Sequence, residues 1–210
     1  MFSLKVTKTK SRQATSLTYR FPLNPEEPQV RVMTQPHPND TIHIVEYNPN
    51  WPALYEQERA LVAAALGEIL AEIHHVGSTA VPGLSAKPII DIMVAVTQLA
   101  PPEDYGRKLV PLGYEYHNSD EAGRLFFRKG TPRTHHIHVV EHGSWTLRRH
   151  LLFRDCLRAH PQAMQQYAQL KQELAIRFES NREAYTQAKT EFVESIVALA
   201  AVGSKIQSPG

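Results

Sequence analysis

The 210-residue chain reads as an α/β (α+β) protein with a mixed β-sheet flanked by helices and a helical C-terminal third. Three observations lead to that class. Pro88–Val96 is a continuous apolar run, the mark of a central buried strand. Tyr114–His117, Arg124–Lys129 and His135–Glu141 are short strand-like runs separated by turn residues. From Trp145 to Val202 the chain reads as helical.

The remaining elements follow in order. Ile42–Tyr47 reads as a short strand, broken by Asn48-Pro49-Asn50. Trp51-Pro52 marks a helix start, where proline is tolerated. Leu54, Leu61, Ala65, Leu66, Ile69 and Leu70 then carry a helical period through Ala53–Leu70. Ile73–Val76 is a strand leading into a Gly77-Ser78 turn. Glu103–Leu112 is a short helix ending near Gly113. In the last third Pro161 opens a second helix, and Asn181 punctuates a third near Arg182–Ala201.

Residues 41–202 suit a single domain with one core. The leader before them is different. Lys5, Lys8, Lys10, Arg12 and Arg20 precede the first acid, Glu26. The acid-poor composition is that of a transit peptide, but no apolar stretch or amphipathic helix accompanies it. Met33 reads as a natural start, so residues 1–40 are expected to be a disordered leader, and residues 203–210 a loose tail.

At 42% hydrophobic and 21% charged the composition is that of a soluble globular protein. A net charge of +2 argues against a strong nucleic-acid or membrane field. Cys156 stands alone, which excludes an intrachain disulfide and points to a reducing, cytoplasmic setting. No apolar run approaches the roughly 20 residues of a membrane span.

Four constellations carry chemistry. In the first, Gly77, Ser78 and Thr79 offer backbone N–H groups and hydroxyls to an anion, and Lys87 adds a point charge. Asp91 follows inside the apolar run, where a carboxylate is costly unless it is paired or binds a cation. In the second, His136 and His138 share a strand face with Val140, while His135, Ile137, Val139 and Glu141 take the other. Either face is a candidate for burial. Beside Asp91, the His136/His138 pair suits a metal held by imidazole and carboxylate together. The third is a basic set, Arg124, Arg128, Lys129, Arg133, Arg148, Arg149, His150 and Arg154, with Arg124 and Arg128 on one strand face. The fourth is Tyr185, Thr186 and Lys189, in which Tyr185 and Lys189 lie one helical turn apart.

The string from His75 to Val94 resembles the signature of the GrpB family, within the nucleotidyltransferase-like superfamily. So do Tyr47-Asn-Pro-Asn-Trp51, His136-Ile-His138-Val-Val-Glu141, Leu152-Phe-Arg-Asp155 and Ala184-Tyr-Thr-Gln-Ala-Lys189. The resemblance implies a nucleotidyltransferase-like core, a Gly-Ser turn on phosphates, and a carboxylate pair holding magnesium with a third acid on a neighbouring strand. Gly77, Ser78 and Asp91 match; Met93 stands in the second acid's place and matches nothing. Thioether sulfur is a poor magnesium ligand. Glu141 is a candidate third acid, but alternation places it opposite His136 and His138, which are favoured instead.

Two functions follow. One is an enzyme that transfers a nucleotidyl or phosphoryl group with one divalent metal, Mg²⁺ or Mn²⁺ first and Zn²⁺ as the alternative. Asp91, His136 and His138 would be its metal-binding and catalytic residues. Gly77, Ser78, Thr79, Lys87, Arg128, Tyr185 and Lys189 would bind the nucleotide. The other is a module that binds a nucleotide or phosphorylated metabolite without chemistry. Nucleic acid is a distant third partner.

Overall fold

The computed structural model describes residues 41–119 and 121–206, with side chains through 202. The expected leader, residues 1–40, lies outside this range. Seven-residue strands β1 (Leu70–Val76) and β2 (Ile90–Val96) flank the Gly77-Ser78 turn and a Pro82-Gly83 loop. β3 (Tyr114–His117), β4 (Arg124–Lys129) and β5 (His135–Glu141) have the bounds read from the sequence. Together they form one five-stranded sheet in the order β1-β2-β5-β4-β3. The pairings are antiparallel except for the central β2–β5 pair, which is parallel. The sheet is therefore mixed.

Its register decides everything that follows. Asp91 pairs with His136, Met93 with His138 and Ala95 with Val140. Arg128, Phe126 and Arg124 continue these rows on β4. One face carries Ile92, Val94, Val96, Ile137 and Val139, fully buried against Trp51, Val62, Leu66, Tyr105 and Leu109. Those partners come from α1 (Trp51–Leu66) and α2 (Pro102–Leu109). The other face is apolar only at one end, where Val76, Met93, Ala95 and Val140 pack on Leu147. Leu147 belongs to α3 (Trp145–Ala159), whose N-cap Ser144 accepts a hydrogen bond from the Leu147 N–H. Helices α4 (Pro161–Arg177), α5 (Arg182–Gln187) and α6 (Thr190–Ile206) extend the wall over the remaining polar end. Phe153, Tyr167 and Phe192 join α3, α4 and α6, with ring centroids 5.1 and 5.4 Å apart.

Four expectations need correction. Ile42–Tyr47 forms a single bridge, Val45 to Ala86, in place of a strand. Ile42 turns instead to the helices: its N–H donates to the Glu179 carbonyl, and its side chain packs on Leu174 and Tyr185. The first helix ends at Leu66, because Gly67 at φ 58° breaks it, and β1 begins at Leu70. β2 begins at Ile90, since Pro88 has no N–H for the ladder. The last helix is two, α5 and α6, with Lys189 in the break between them. In addition, α6 runs to Ile206, past the boundary expected at 203. Among the described residues no helix is long and apolar enough to cross a membrane.

One polar contact crosses the apolar face. Glu58 on α1 is 6% exposed and accepts two hydrogen bonds from Lys129 Nζ, at 2.8 and 2.9 Å, with His135 Nε2 3.9 Å from the same carboxylate. Lys129→Met leaves a buried carboxylate without its cation. We expect unfolding free energy in urea to fall by about 3 kcal/mol. The Glu58→Gln/Lys129→Met double variant should recover part of it. A stability equal to that of the wild type in the single variant would show that the pair contributes nothing.

Candidate functional site

The polar end of the His face opens into a cavity of about 1200 Å³ between the sheet and the C-terminal helices. Its floor is the Gly77-Ser78 turn and Asp91. Gly77 has φ 70° and ψ −170°, and a Cβ built there would stand 2.5 Å from Asp91 Oδ2. Only glycine fits both the backbone and the carboxylate. α3 fixes the turn from outside. Arg154 donates to the His75 carbonyl at 3.0 Å, and Arg158 donates twice to the Ala80 carbonyl at 2.9 and 2.7 Å. Inside, the Thr79 hydroxyl donates to the Ile89 carbonyl at 3.1 Å and accepts from His75 Nε2 at 3.0 Å.

Asp91 is held by imidazoles. His136 Nδ1 lies 2.9 Å from Oδ1, and His138 Nε2 lies 3.7 Å from the same oxygen. Burial pushes the Asp91 carboxyl up. The hydrogen bond from His136, and then His138, outweighs it and holds the group well below the ordinary carboxylate range. Burial in turn lowers both histidines against the pull of Asp91, so both imidazoles tend to be neutral. Tautomers follow from the partners. Arg124 stands 2.8 Å from His138 Nδ1, which must accept, so Nε2 carries the proton facing Asp91. His136 donates from Nδ1, and its buried Nε2 has no hydrogen-bond partner. One ligand atom from each of Asp91, His136 and His138 lies within 4.8 Å of the other two, a spacing a single ion can bridge.

The walls are cationic. Lys87, Arg124, Arg128, Arg133, Arg149 and Lys189 line the cavity with Tyr185 and Ser78. The ammonium groups of Lys87 and Lys189 lie over the Tyr185 ring, 5.1 and 4.2 Å from its centroid. Phe126 supports the opposite end, with Arg124 and Arg128 at 5.5 and 4.9 Å from its centroid. The structure thus brings Gly77, Ser78, Lys87, Asp91, Arg128, His136, His138, Tyr185 and Lys189 to one cavity. Thr79 also lines it, but the residue is 1% exposed and its hydroxyl is engaged by the Ile89 carbonyl and His75. That hydroxyl braces the turn and is not available to a ligand.

Several basic candidates go elsewhere. Lys129 pairs with Glu58 on the far face, Arg154 braces the turn, and Arg148 points to solvent. Arg149 lines the cavity but is bound to Glu194 at 2.8 and 2.6 Å. Glu141 accepts from the Leu99 N–H on the opposite face from His138, so it is no third acid. Met93 is fully buried under Leu147, which fills with core the place of a second acid. Sequence reasoning missed Phe126, Tyr167, Lys171 and Arg182, all of which line the cavity. For Lys171 a signal existed: it falls between Tyr167 and Leu174 on the apolar stripe of α4, where a lysine is out of place.

Against this geometry the sequence model of the GrpB family, described as "GrpB protein", matches residues 41–198. The chain belongs to the GrpB family. The crystal structure of conserved protein GrpB from Enterococcus faecalis superposes with a TM-score of 0.71 at 33% identity, covering 77% of this chain and 99% of that one. Glutamate-rich protein GrpB of Alkalihalophilus pseudofirmus is 37% identical over 163 residues, 73% of this chain and 92% of its own length. UPF0157 protein YqkA of Bacillus subtilis is 36% identical over 161 residues, 76% of this chain. The chain spans about half, 47%, of the length of that relative. The GrpB fold is nucleotidyltransferase-like: a mixed sheet with flanking helices.

Two outcomes test the floor of the site. Gly83 has φ 80° and room for a Cβ, with its nearest neighbour at 4.0 Å, whereas Gly77 has none. Gly77→Ala should therefore cost at least about 1 kcal/mol more than Gly83→Ala in urea unfolding. Equal costs would mean that the Asp91 contact is unimportant. The second concerns acid. His75 is buried and His150 half-buried, and desolvation lowers both pKa values to about 4 from an ordinary 6.5. Between those values the unfolded chain binds protons that the folded chain refuses, so stability must fall as pH drops from about 6.5 to about 4. Each group contributes up to about 3 kcal/mol of the loss. His75→Gln should flatten the slope; an unchanged slope would place the sensitivity elsewhere.

Proposed function

We propose that the cavity binds a nucleotide or a phosphorylated small molecule, with its phosphates on the Gly77-Ser78 turn. The observation that carries this reading is the ring of cations around one floor carboxylate. Lys87, Arg128 and Lys189 line the same cavity as a turn whose backbone can face an anion. Lys189 is lowered to about 7 by burial, then by Lys87. An anion restores such a proton and gains a full charge partner. Tyr185, 1% exposed, carries Lys87 and Lys189 over its ring and so holds both ammonium groups at the cavity wall.

A second reading, transfer of a nucleotidyl or phosphoryl group with one divalent metal, is favoured by a separate observation, the Asp91–His136–His138 cluster. One carboxylate and two imidazoles suit Mn²⁺ or Zn²⁺ better than Mg²⁺, which prefers oxygen. Such an ion supplies charge stabilisation at the transferring phosphoryl oxygens. Asp91, His136 and His138 would hold it, and Arg124 would have to release His138 Nδ1, freeing a lone pair at Nε2. Met93 removes the acid that a two-ion arrangement requires.

The test is thermal unfolding of the full chain with nucleoside triphosphates, alone and with Mn²⁺ or Zn²⁺. At a hundredfold excess over Kd, Tm should rise by about 5 °C or more. Ser78→Ala and Lys87→Met should shrink the shift. No shift with any nucleotide overturns the binding reading. Metal-dependent pyrophosphate release that Asp91→Asn abolishes supports transfer; binding without any turnover favours the non-catalytic module.

A further inference from the structure

Arg124 reaches the Asp91–His136–His138 cluster through an imidazole. Its Nη1 lies 2.8 Å from His138 Nδ1, while the other ring nitrogen, Nε2, lies 3.7 Å from Asp91 Oδ1. The guanidinium is held in that place from behind. Its Nε stands 2.9 Å from Glu121 Oε2, and Glu121 Oε1 accepts from the Thr146 hydroxyl, in the first turn of α3, at 2.9 Å. The Phe126 ring supports it, with the centroid 5.5 Å away.

A guanidinium has donors only and keeps its proton. His138 Nδ1 is therefore obliged to accept, and the neutral ring carries its hydrogen on Nε2, toward Asp91. An ion shared by Asp91 and His138 needs the opposite tautomer, with a lone pair at Nε2 and the hydrogen on Nδ1. That tautomer sets an N–H against the guanidinium, donor against donor. His136 carries no such restriction. Its Nδ1 faces Asp91 at 2.9 Å, and its buried Nε2 has no hydrogen-bond partner. The hydrogen can pass to Nε2 without breaking a contact there, and an ion replaces the bond to Asp91. The obstacle to a metal thus sits at His138 and comes from Arg124.

The cavity also holds the means of removing it. Arg124, Glu121 and His138 all line it, and the Arg124 side chain keeps 19% exposure. An anion is a stronger acceptor for a guanidinium than a neutral imidazole. When Arg124 turns to such a ligand, His138 can carry its hydrogen on Nδ1 and present Nε2 to an ion.

We propose that Arg124 is an interlock: it holds His138 in the tautomer that cannot bind a metal, and an anion in the cavity releases it. The proposal rests on the metal reading above and adds an order to it, anion first and metal second. By linkage, the metal must tighten the anion by the same factor. Arg124 is a positioning residue here, because it acts through His138.

The experiment titrates the full chain with Zn²⁺ against a chromophoric chelator at pH 7 and fixed ionic strength, in chloride and in sulfate. Sulfate is the anion probe because it competes little for zinc. Asp91→Asn is run alongside, so that zinc held elsewhere on the chain is subtracted. In chloride, Arg124→Met should bind zinc at least about tenfold more tightly than the wild type. Sulfate should tighten the wild type and leave that variant unchanged. Nitrogen NMR of the histidines needs no variant: in the zinc-free wild type His138 should carry its hydrogen on Nε2. A zinc-free His138 with its hydrogen on Nδ1 overturns the interlock. So does an Arg124→Met protein no tighter than a wild type whose zinc binding Asp91→Asn weakens. Equal wild-type affinity in chloride and sulfate overturns release by an anion. If neither protein binds zinc at Asp91 in either salt, the metal reading falls together with the interlock.

Discussion

The contact between Asp91 and Gly77 is the constraint on which the site depends. A carboxylate in a central strand is expensive to bury, and this one is tolerated because the opposing turn has no side chain and the neighbouring strand supplies histidine. The turn can approach only because Gly77 adopts a positive φ. Arg154 and Arg158 then hold the surrounding carbonyls from α3.

The same sheet face divides its labour by position along the strand. Asp91 and His136 meet at the cavity, while two residues on, Met93 lies in the core beneath Leu147. α3 covers that end, so a second carboxylate there would be buried against apolar side chains. The departure from the two-acid pattern is thus built into the packing of α3. Charge in the cavity shifts accordingly. One acid stands on the floor and lysines and arginines on the walls, which is the charge arrangement behind the proposed anion binding; a metal would be held through the imidazoles beside Asp91.

Much of the fold was legible in the sequence, for identifiable reasons. β3, β4 and β5 are short and bounded by turn residues, so their bounds could be read directly. The side of β5 that carries His136 and His138 was also fixed by alternation; which side was buried was not, because Val140 and Glu141 leave both faces ambiguous. The sequence placed His136 and His138 beside Asp91, but not the register that pairs Asp91 with His136. That pairing joins parallel strands 45 residues apart, and only the register sets it. Ile42–Tyr47 misled because Ile42 and Ile44 pack on the C-terminal helices, and only Tyr47 joins the sheet core. Thr79 misled because a hydroxyl beside a Gly-Ser turn looks the same in sequence whether it faces the cavity or the Ile89 carbonyl. Lys171 was overlooked because a single basic residue in a helix is ordinarily a surface charge.

The central claim is that this cavity takes phosphate charge onto buried lysines. It is tested most directly by calorimetric titration of a nucleoside triphosphate at pH 8, in two buffers of different ionisation heat. Lys171 and Lys189, with pKa values near 7, are mostly neutral in the free protein at that pH. A bound anion raises them, so binding should take up protons, between one and two per site. Saturable binding with net proton uptake is the predicted result. Binding with no proton exchange, or no binding, contradicts the account.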